Sequence, residues 1–279
     1  MNPAEVVVAV AGAALGVDVQ AEIAGTVVEA GEAAREWMGR RVVVPRILPC
    51  GDCAACRRGH VALCPFRAAR SGLGARETVP ARWLTSVEPP LWPEGAELWQ
   101  LAALADAALA PYTALSRAGV GPGDRVVVVG DDGRARFAAA IAAAKGATVE
   151  RVGHDASGKS VDAAASGGAQ TVGAFVLATR PIDYATALSL VSPGCTIVLL
   201  DGDPRGELPT DWPALIAAEA HVIGVVGGHP DLLPELCALA VRGQLLLADN
   251  VRRVPLAEAS TARGAYLHAG GPLPIAVPG

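Results

Sequence analysis

Four cysteines, Cys50, Cys53, Cys56 and Cys64, fall within fifteen residues in the spacing CxxCxxCx7C. Four thiolates that converge on one point complete the tetrahedral shell of a zinc ion and leave no open position for a substrate, so the metal they imply is structural. Gly51 and Gly59 lie inside the run and allow the tight turns that bring all four sulfurs to one ion. Two disulfides in so short a segment would be strained, and the rest of the chain does not read as secreted, so zinc is preferred to disulfide bridges. Cys195 and Cys237 sit in apolar surroundings and are expected in the core.

Other groups with chemical potential are scattered. Asp106 interrupts an otherwise apolar helical face, which suits a vestigial metal ligand, an acid/base group, or a helix residue paired with an arginine. His60, His154, His221, His229 and His268 show no metal-ligand spacing. His229, before Pro230, follows a predicted sheet strand, where ligands often bind. Tyr112 reads as helix packing.

The elements that must position these groups divide the chain in two. Val6 to Val10, Thr26 to Val28 and Arg41 to Pro45 are β-branched runs, so the first lobe opens as all-β. The cysteine loop runs from Pro49 to Pro65, a Gly- and Arg-rich loop leads to a short strand at Thr78 to Pro80, and prolines at 89, 90 and 93 mark the end of the lobe. Leucines at helical spacing predict a helix over 97–110, with a second beginning at Pro111. From Arg125 onward the pattern alternates: strand 125–130, helix 134–145, strands 148–152 and 174–178, helix 184–191, strands 196–200 and 221–226, helix 231–242. Such alternation imposes a parallel, doubly wound sheet with right-handed crossovers. After Gly243 the spacing predicts a strand over 244–247, a helix over 255–265 and a last strand over 273–277, a tail expected to return to the first lobe.

Composition narrows the function classes. Hydrophobic residues make up 52% and charged residues 18%, which is globular rather than disordered. The net charge of −5, with no basic block, points away from nucleic acid. The N-terminus lacks a basic leader, and the longest apolar runs are too short for a bilayer, so a cytoplasmic protein without membrane partner is expected.

A zinc-cysteine loop in a β lobe followed by a nucleotide-type α/β lobe resembles the medium-chain dehydrogenase/reductase superfamily, the zinc-containing alcohol dehydrogenases. Pro3 to Gly12, Glu22-Ile-Ala-Gly25, Val79 to Arg82, Ala105-Asp-Ala107 with Pro111-Tyr112, and Arg117 to Val120 with Gly123-Asp124 are similar to the 6-hydroxycyclohex-1-ene-1-carbonyl-CoA dehydrogenases, which oxidise a cyclic hydroxyacyl-CoA with NAD. The resemblance implies a GroES-like β lobe over 1–96 with its zinc loop at 50–64, a Rossmann-like lobe over 97–243, and a return segment over 244–279.

Members of that superfamily hold a second, catalytic zinc through a Cys near the N-terminus, the His of a Gly-His-Glu motif and a third ligand before the Rossmann lobe. Here the Cys position falls on Gly16, or Ala14 if the alignment slips by two, and the His position on Ala21; neither can bind metal. Glu22 and Asp106 remain at the motif's Glu and at the third-ligand position, but two carboxylates without imidazole or thiolate make a poor zinc site. The stretch between Cys and Gly-His-Glu, which carries part of the family's substrate pocket, is almost deleted. The family's GxGGxG aligns with Gly130-Asp131-Asp132-Gly133-Arg134-Ala135, so a carboxylate stands at the second glycine. Asp131 and Asp132 would repel a diphosphate by a few kcal/mol at intermediate dielectric, on the order set by Coulomb's law, unless Arg134 or Arg136 compensates. Asp155 could read the ribose hydroxyls of NAD, or Arg151 with His154 the 2′-phosphate of NADP.

Three functions follow as expectations. One is a degenerate dehydrogenase without zinc-dependent alcohol oxidation, acting as a scaffold or as the partner of an active paralogue. Another is a zinc-independent NAD(P)H oxidoreductase acting on an acyl-CoA, enone or quinone. The third is a non-redox enzyme that reuses the cleft between the lobes with Asp106 or Glu22 as acid/base. The family implies a homo-oligomer, dimer or tetramer, assembled through the α/β lobe.

Overall fold

In a computed structural model, residues 2–15, 22–68, 73–88, 95–105, 107–130, 132–154, 160–161, 175–178, 184–200, 211–245, 247–269 and 271–278 are described. Two compact units emerge: residues 1–109 together with 228–279, and residues 110–227.

The first unit is built on period-two strands. In β1 (Glu5–Ala14) the alternate residues Val6, Val8 and Val10 are buried, and they pack with Ile23 and Val27 of β2 (Glu22–Ala30) and with Val42 and Val44 of β3 (Arg41–Val44). β4 (Arg76–Pro80) pairs with β1, and β5 (Thr85–Ser86) with β3. A 3₁₀ helix over Leu98–Leu104 packs on β1, β2 and β3, and the first compact unit runs on to Leu109 before the chain leaves it. Helical spacing of the leucines is right; the tighter 3₁₀ turn is what spacing alone does not separate from an α-helix.

Helix α1 (Ala54–Arg57) is a single turn in the cysteine loop, and the second unit takes up the chain within α2 (Leu109–Ala118). Strands β6 (Arg125–Val129), β7 (Thr148–His154), β8 (Ser160–Val161), β9 (Phe175–Ala178), β10 (Thr196–Leu200) and β11 (His221–Val225) form one sheet in the order β11-β10-β9-β6-β7-β8. All pairings are parallel except that of the two-residue β8 with β7. That is the doubly wound dinucleotide topology, with its switch point between β6 and β9. Helices α3 (Gly133–Ala144), α4 (Tyr184–Ser189) and α5 (Trp212–Ala217) supply the crossovers. α5 escapes the sequence reading, although Asp211 caps it and Pro213 stands in its first turn.

The chain then returns to the first unit. A 3₁₀ turn over Pro230–Leu232 leads into α6 (Leu233–Val241), which covers the predicted helix but belongs to this unit. The strand expected over 244–247 does not form: the described residues there are bends, and the amide of Asn250 closes a turn on the Leu247 carbonyl at 3.0 Å. The strand lies further on, as β12 (Val251–Pro255), whose adjacent Arg252 and Arg253 are both exposed and so break the alternation that marks a strand. After α7 (Ala259–Ala269), β13 (Leu273–Val277) falls on the expected residues and runs antiparallel to β1 and parallel to β12. Among the described residues no helix is long and apolar enough to cross a membrane.

Candidate metal centre and dinucleotide loop

The cysteine loop is closed at its base by an isolated bridge between Leu48 and Ala68, where the Ala68 amide donates to the Leu48 carbonyl at 2.9 Å. Inside it, Cys53 stands at the N-cap of the one-turn helix α1 (Ala54–Arg57), which carries Cys56, and a 3₁₀ turn over Val61–Leu63 delivers Cys64. Gly51 and Gly59 have φ of 85° and 77°, the left-handed region expected of them. At Gly51 no atom would meet an added Cβ within 4 Å, so the need for glycine there is conformational rather than steric.

All six cysteines are free. The four loop sulfurs lie within 4.8 Å of one another, with 3.4 Å between Cys53 and Cys56, 3.8 Å between Cys53 and Cys64 and 4.0 Å between Cys50 and Cys56. A tetrahedron of sulfurs at the usual zinc bond length has edges of about 3.8 Å. The four residues therefore suit a structural zinc, and the Cys50 amide, 3.3 Å from Cys64 Sγ, supplies the N–H to sulfur contact that steadies a thiolate. The thiols are not equivalent. Backbone N–H groups of Asp52 and Cys53 lower Cys50 to about 7, whereas burial and the neighbouring sulfur of Cys53 push Cys56 up to about 12. Four crowded sulfurs cannot all ionise without a cation among them, and a divalent ion resolves that conflict. Among the described residues this is the group of ligands that meets.

Cys195 and Cys237 are buried, as expected, and burial pushes the Cys237 thiol up to about 12.

Of the two carboxylates singled out as acid/base candidates, Asp106 lies outside the described residues. Glu22 opens β2 and is 1% exposed, with its Oε1 3.4 Å from Nε of Arg46. The antiparallel register that sets Ile23 opposite Val44 brings the end of β3 and the residues after it alongside Glu22. Arg46 was not legible as its partner, because the pairing needs that register. Glu22 Oε1 and Arg46 Nε make an ion pair without a hydrogen bond between them, so the carboxylate is a buried ion-pair member rather than a group presented to solvent.

In the dinucleotide loop, Gly130 directly follows β6 with φ of 121°, a backbone conformation that favours glycine and that the turn from strand to helix requires. Asp132 does not project from the loop. It is the N-cap of α3, 4% exposed, and its Oδ1 accepts the Ala135 amide at 2.8 Å. Asp is among the preferred N-cap residues, and this signal was present in the sequence. Gly133 and Ala135 lie in the buried first turn, and Arg134, expected to face a phosphate, is 3% exposed. Asp131 and Asp155 lie outside the described residues. Tyr112 is buried with the Lys145 ammonium 5.2 Å from its ring centre, in keeping with helix packing.

Residues 2–89 match the alcohol dehydrogenase GroES-like domain. Among solved structures, a putative zinc-binding dehydrogenase from Sinorhizobium meliloti 1021 bound to NADP is similar at 21% identity with a TM-score of 0.81, over 100% of this chain and 93% of that one. An alcohol dehydrogenase from Thermus sp. ATN1 is similar at 19% identity with a TM-score of 0.85, over 100% and 95%. A cobalt- and zinc-bound thermostable alcohol dehydrogenase from Pyrobaculum aerophilum shares 20% identity with a TM-score of 0.77, over 99% and 92%. The fold of this chain is thus that of the zinc-binding, medium-chain dehydrogenases.

Proposed function

We propose, from the premise of a zinc-binding alcohol dehydrogenase fold, that this chain keeps the structural zinc, lacks the catalytic one, and serves as a scaffold or partner subunit rather than as a zinc-dependent alcohol dehydrogenase. The observation that carries the reading is the Glu22–Arg46 pair. The motif's carboxylate, next to an alanine where the resemblance expects histidine, is buried against a cation of the chain itself. Asp132 supports it, since its carboxylate takes a first-turn N–H of the helix whose N-terminus would otherwise meet a diphosphate.

The partner is a second copy or an active paralogue with the same α/β unit. In the second unit β11 is an edge strand; Val222 within it and Val226 just after it are each 47% exposed, and α5 exposes Trp212 and Ile216. An uncharged edge of this kind invites strand pairing with a like edge. The lack of a long apolar helix among the described residues fits a cytoplasmic protein.

A second reading is a zinc-independent NAD(P)H oxidoreductase acting on an enone, a quinone or an acyl-CoA. The similarity to 6-hydroxycyclohex-1-ene-1-carbonyl-CoA dehydrogenases points to the last. Gly130 favours this reading, because it retains the backbone turn that lets a dinucleotide approach β6. Titration of the protein with NADPH and NADH separates the two. The scaffold reading expects no saturation below about 1 mM for the wild type, and gain of binding in Asp132→Gly, a change that keeps a tolerated N-cap. Micromolar binding by the wild type would overturn it in favour of the oxidoreductase.

A further inference from the structure

The first unit contains a cavity remote in sequence from the cysteine loop. It is an open cleft between the segment that enters the 3₁₀ helix at Leu98 and the turn that follows α6, with a volume of about 370 Å³. At about 30 Å³ per heavy atom, the volume of a water in the liquid, that is room for roughly a dozen atoms.

Its lining is divided by chemistry. Val241, Leu245 and Leu247 form an apolar wall, and the last two are almost fully buried. Gln100, 8% exposed, lines the same cavity, and its Oε1 accepts the Glu97 amide at 2.7 Å, which turns the amide nitrogen away with no partner among the described residues. Arg242 and Asp249 complete the lining, both exposed. Arg242 uses only Nε, donated to Gln244 Oε1 at 2.8 Å. Although the two opposite charges share one cavity, they make no ion pair with each other among the described residues. An amide donor open to the cavity, a cation and an anion around an aliphatic wall are complementary to a ligand that carries both charges on a short apolar body.

We propose that this cavity binds a small aliphatic zwitterion of the α-amino-acid class. Its carboxylate meets Arg242 and the Gln100 amide, its ammonium meets Asp249, and its side chain lies against Leu245 and Leu247. The Arg242 guanidinium and the Gln100 N–H groups are donors suited to a carboxylate, whereas Asp249 excludes a simple anion and favours a ligand that brings a compensating cation. This site is independent of the scaffold reading and of the zinc loop, so its failure leaves both standing.

The test is calorimetric or NMR titration of the full chain with leucine, with isovalerate and isopentylamine as probes that keep one charge each. Leucine is expected to saturate, and each half-probe to bind about tenfold more weakly, the change equivalent to one ionic contact. Arg242→Ala and Asp249→Ala, both at exposed positions that leave the core untouched, should each weaken leucine by a similar factor. Ala248→Trp, which fills the cavity from an exposed position, should abolish binding. Absence of saturation by leucine, isovalerate binding as tightly as leucine, or leucine affinity unchanged in all three variants would overturn the proposal.

Discussion

Arg46→Met removes the cation from the Glu22–Arg46 pair while keeping a long side chain in place. At the observed 3.4 Å the two charges attract by ~5 kcal/mol at an effective dielectric of 20. Glu22 is 1% exposed, so the variant leaves its carboxylate buried without that cation, and a destabilisation of about 3 kcal/mol is expected. For a chain of this length that lowers the melting temperature by about 5 °C if the two units melt together, and by about 9 °C if the first melts alone. The double variant Glu22→Gln/Arg46→Met should recover all but about 1 kcal/mol, because both charges leave together. Urea unfolding of the four proteins, each with its zinc content measured, reads these terms. An Arg46→Met protein within about 0.5 kcal/mol of wild type, with zinc lost instead in Glu22→Gln, would refute the reasoning and make Glu22 a metal ligand.

Gly59→Ala places a side chain at φ of 77°, and should cost about 1 kcal/mol in the zinc-loaded fold and about fivefold in zinc affinity by chelator competition; unchanged affinity would show that the turn does not set the site. Glu88 is held below the ordinary carboxylate value of 4.5, chiefly by hydrogen bonds from the Arg41 side chain and then by the Arg41 amide, which donates at 2.8 Å. A depressed carboxylate stabilises the fold above its unfolded value and loses that contribution as pH falls through the folded one. The stability advantage of wild type over Glu88→Gln at neutral pH should therefore close on acidification below 4.5; a gap that persists or widens would contradict the assignment. Val222→Lys charges the exposed edge of β11 and should shift the protein to monomer by sedimentation, whereas an unchanged dimer or tetramer would place the interface elsewhere.

The parts of this fold that the sequence shows are those governed by local chemistry. The cysteine spacing, the continuous apolar run of β6 and the alternation in β1 each fix a structure within their own residues. What escapes is what depends on distant pairing. Arg46 becomes the partner of Glu22 only through the β2–β3 register, and α6 belongs with the first unit because of what it packs on rather than what precedes it. Asp132 is a different case. Its role as an N-cap is legible from an aspartate just before a helix, whereas alignment with a glycine-rich phosphate loop sets it facing, and repelling, a diphosphate. β12 is not legible in the sequence because its two adjacent exposed arginines mimic a loop, and the apolar residues before it, Leu245 and Leu247, line a cavity instead of a sheet.

The most direct test of a structural zinc without a catalytic one is the metal content of the purified protein, measured by elemental analysis after exhaustive dialysis. One zinc per chain is expected, lost together with the fold of the cysteine loop in Cys56→Ser, since the free energy of a four-thiolate site is on the order of 10 kcal/mol. Two zinc ions per chain would establish a second site and contradict the loss of the catalytic metal. A folded protein with none would contradict the structural one.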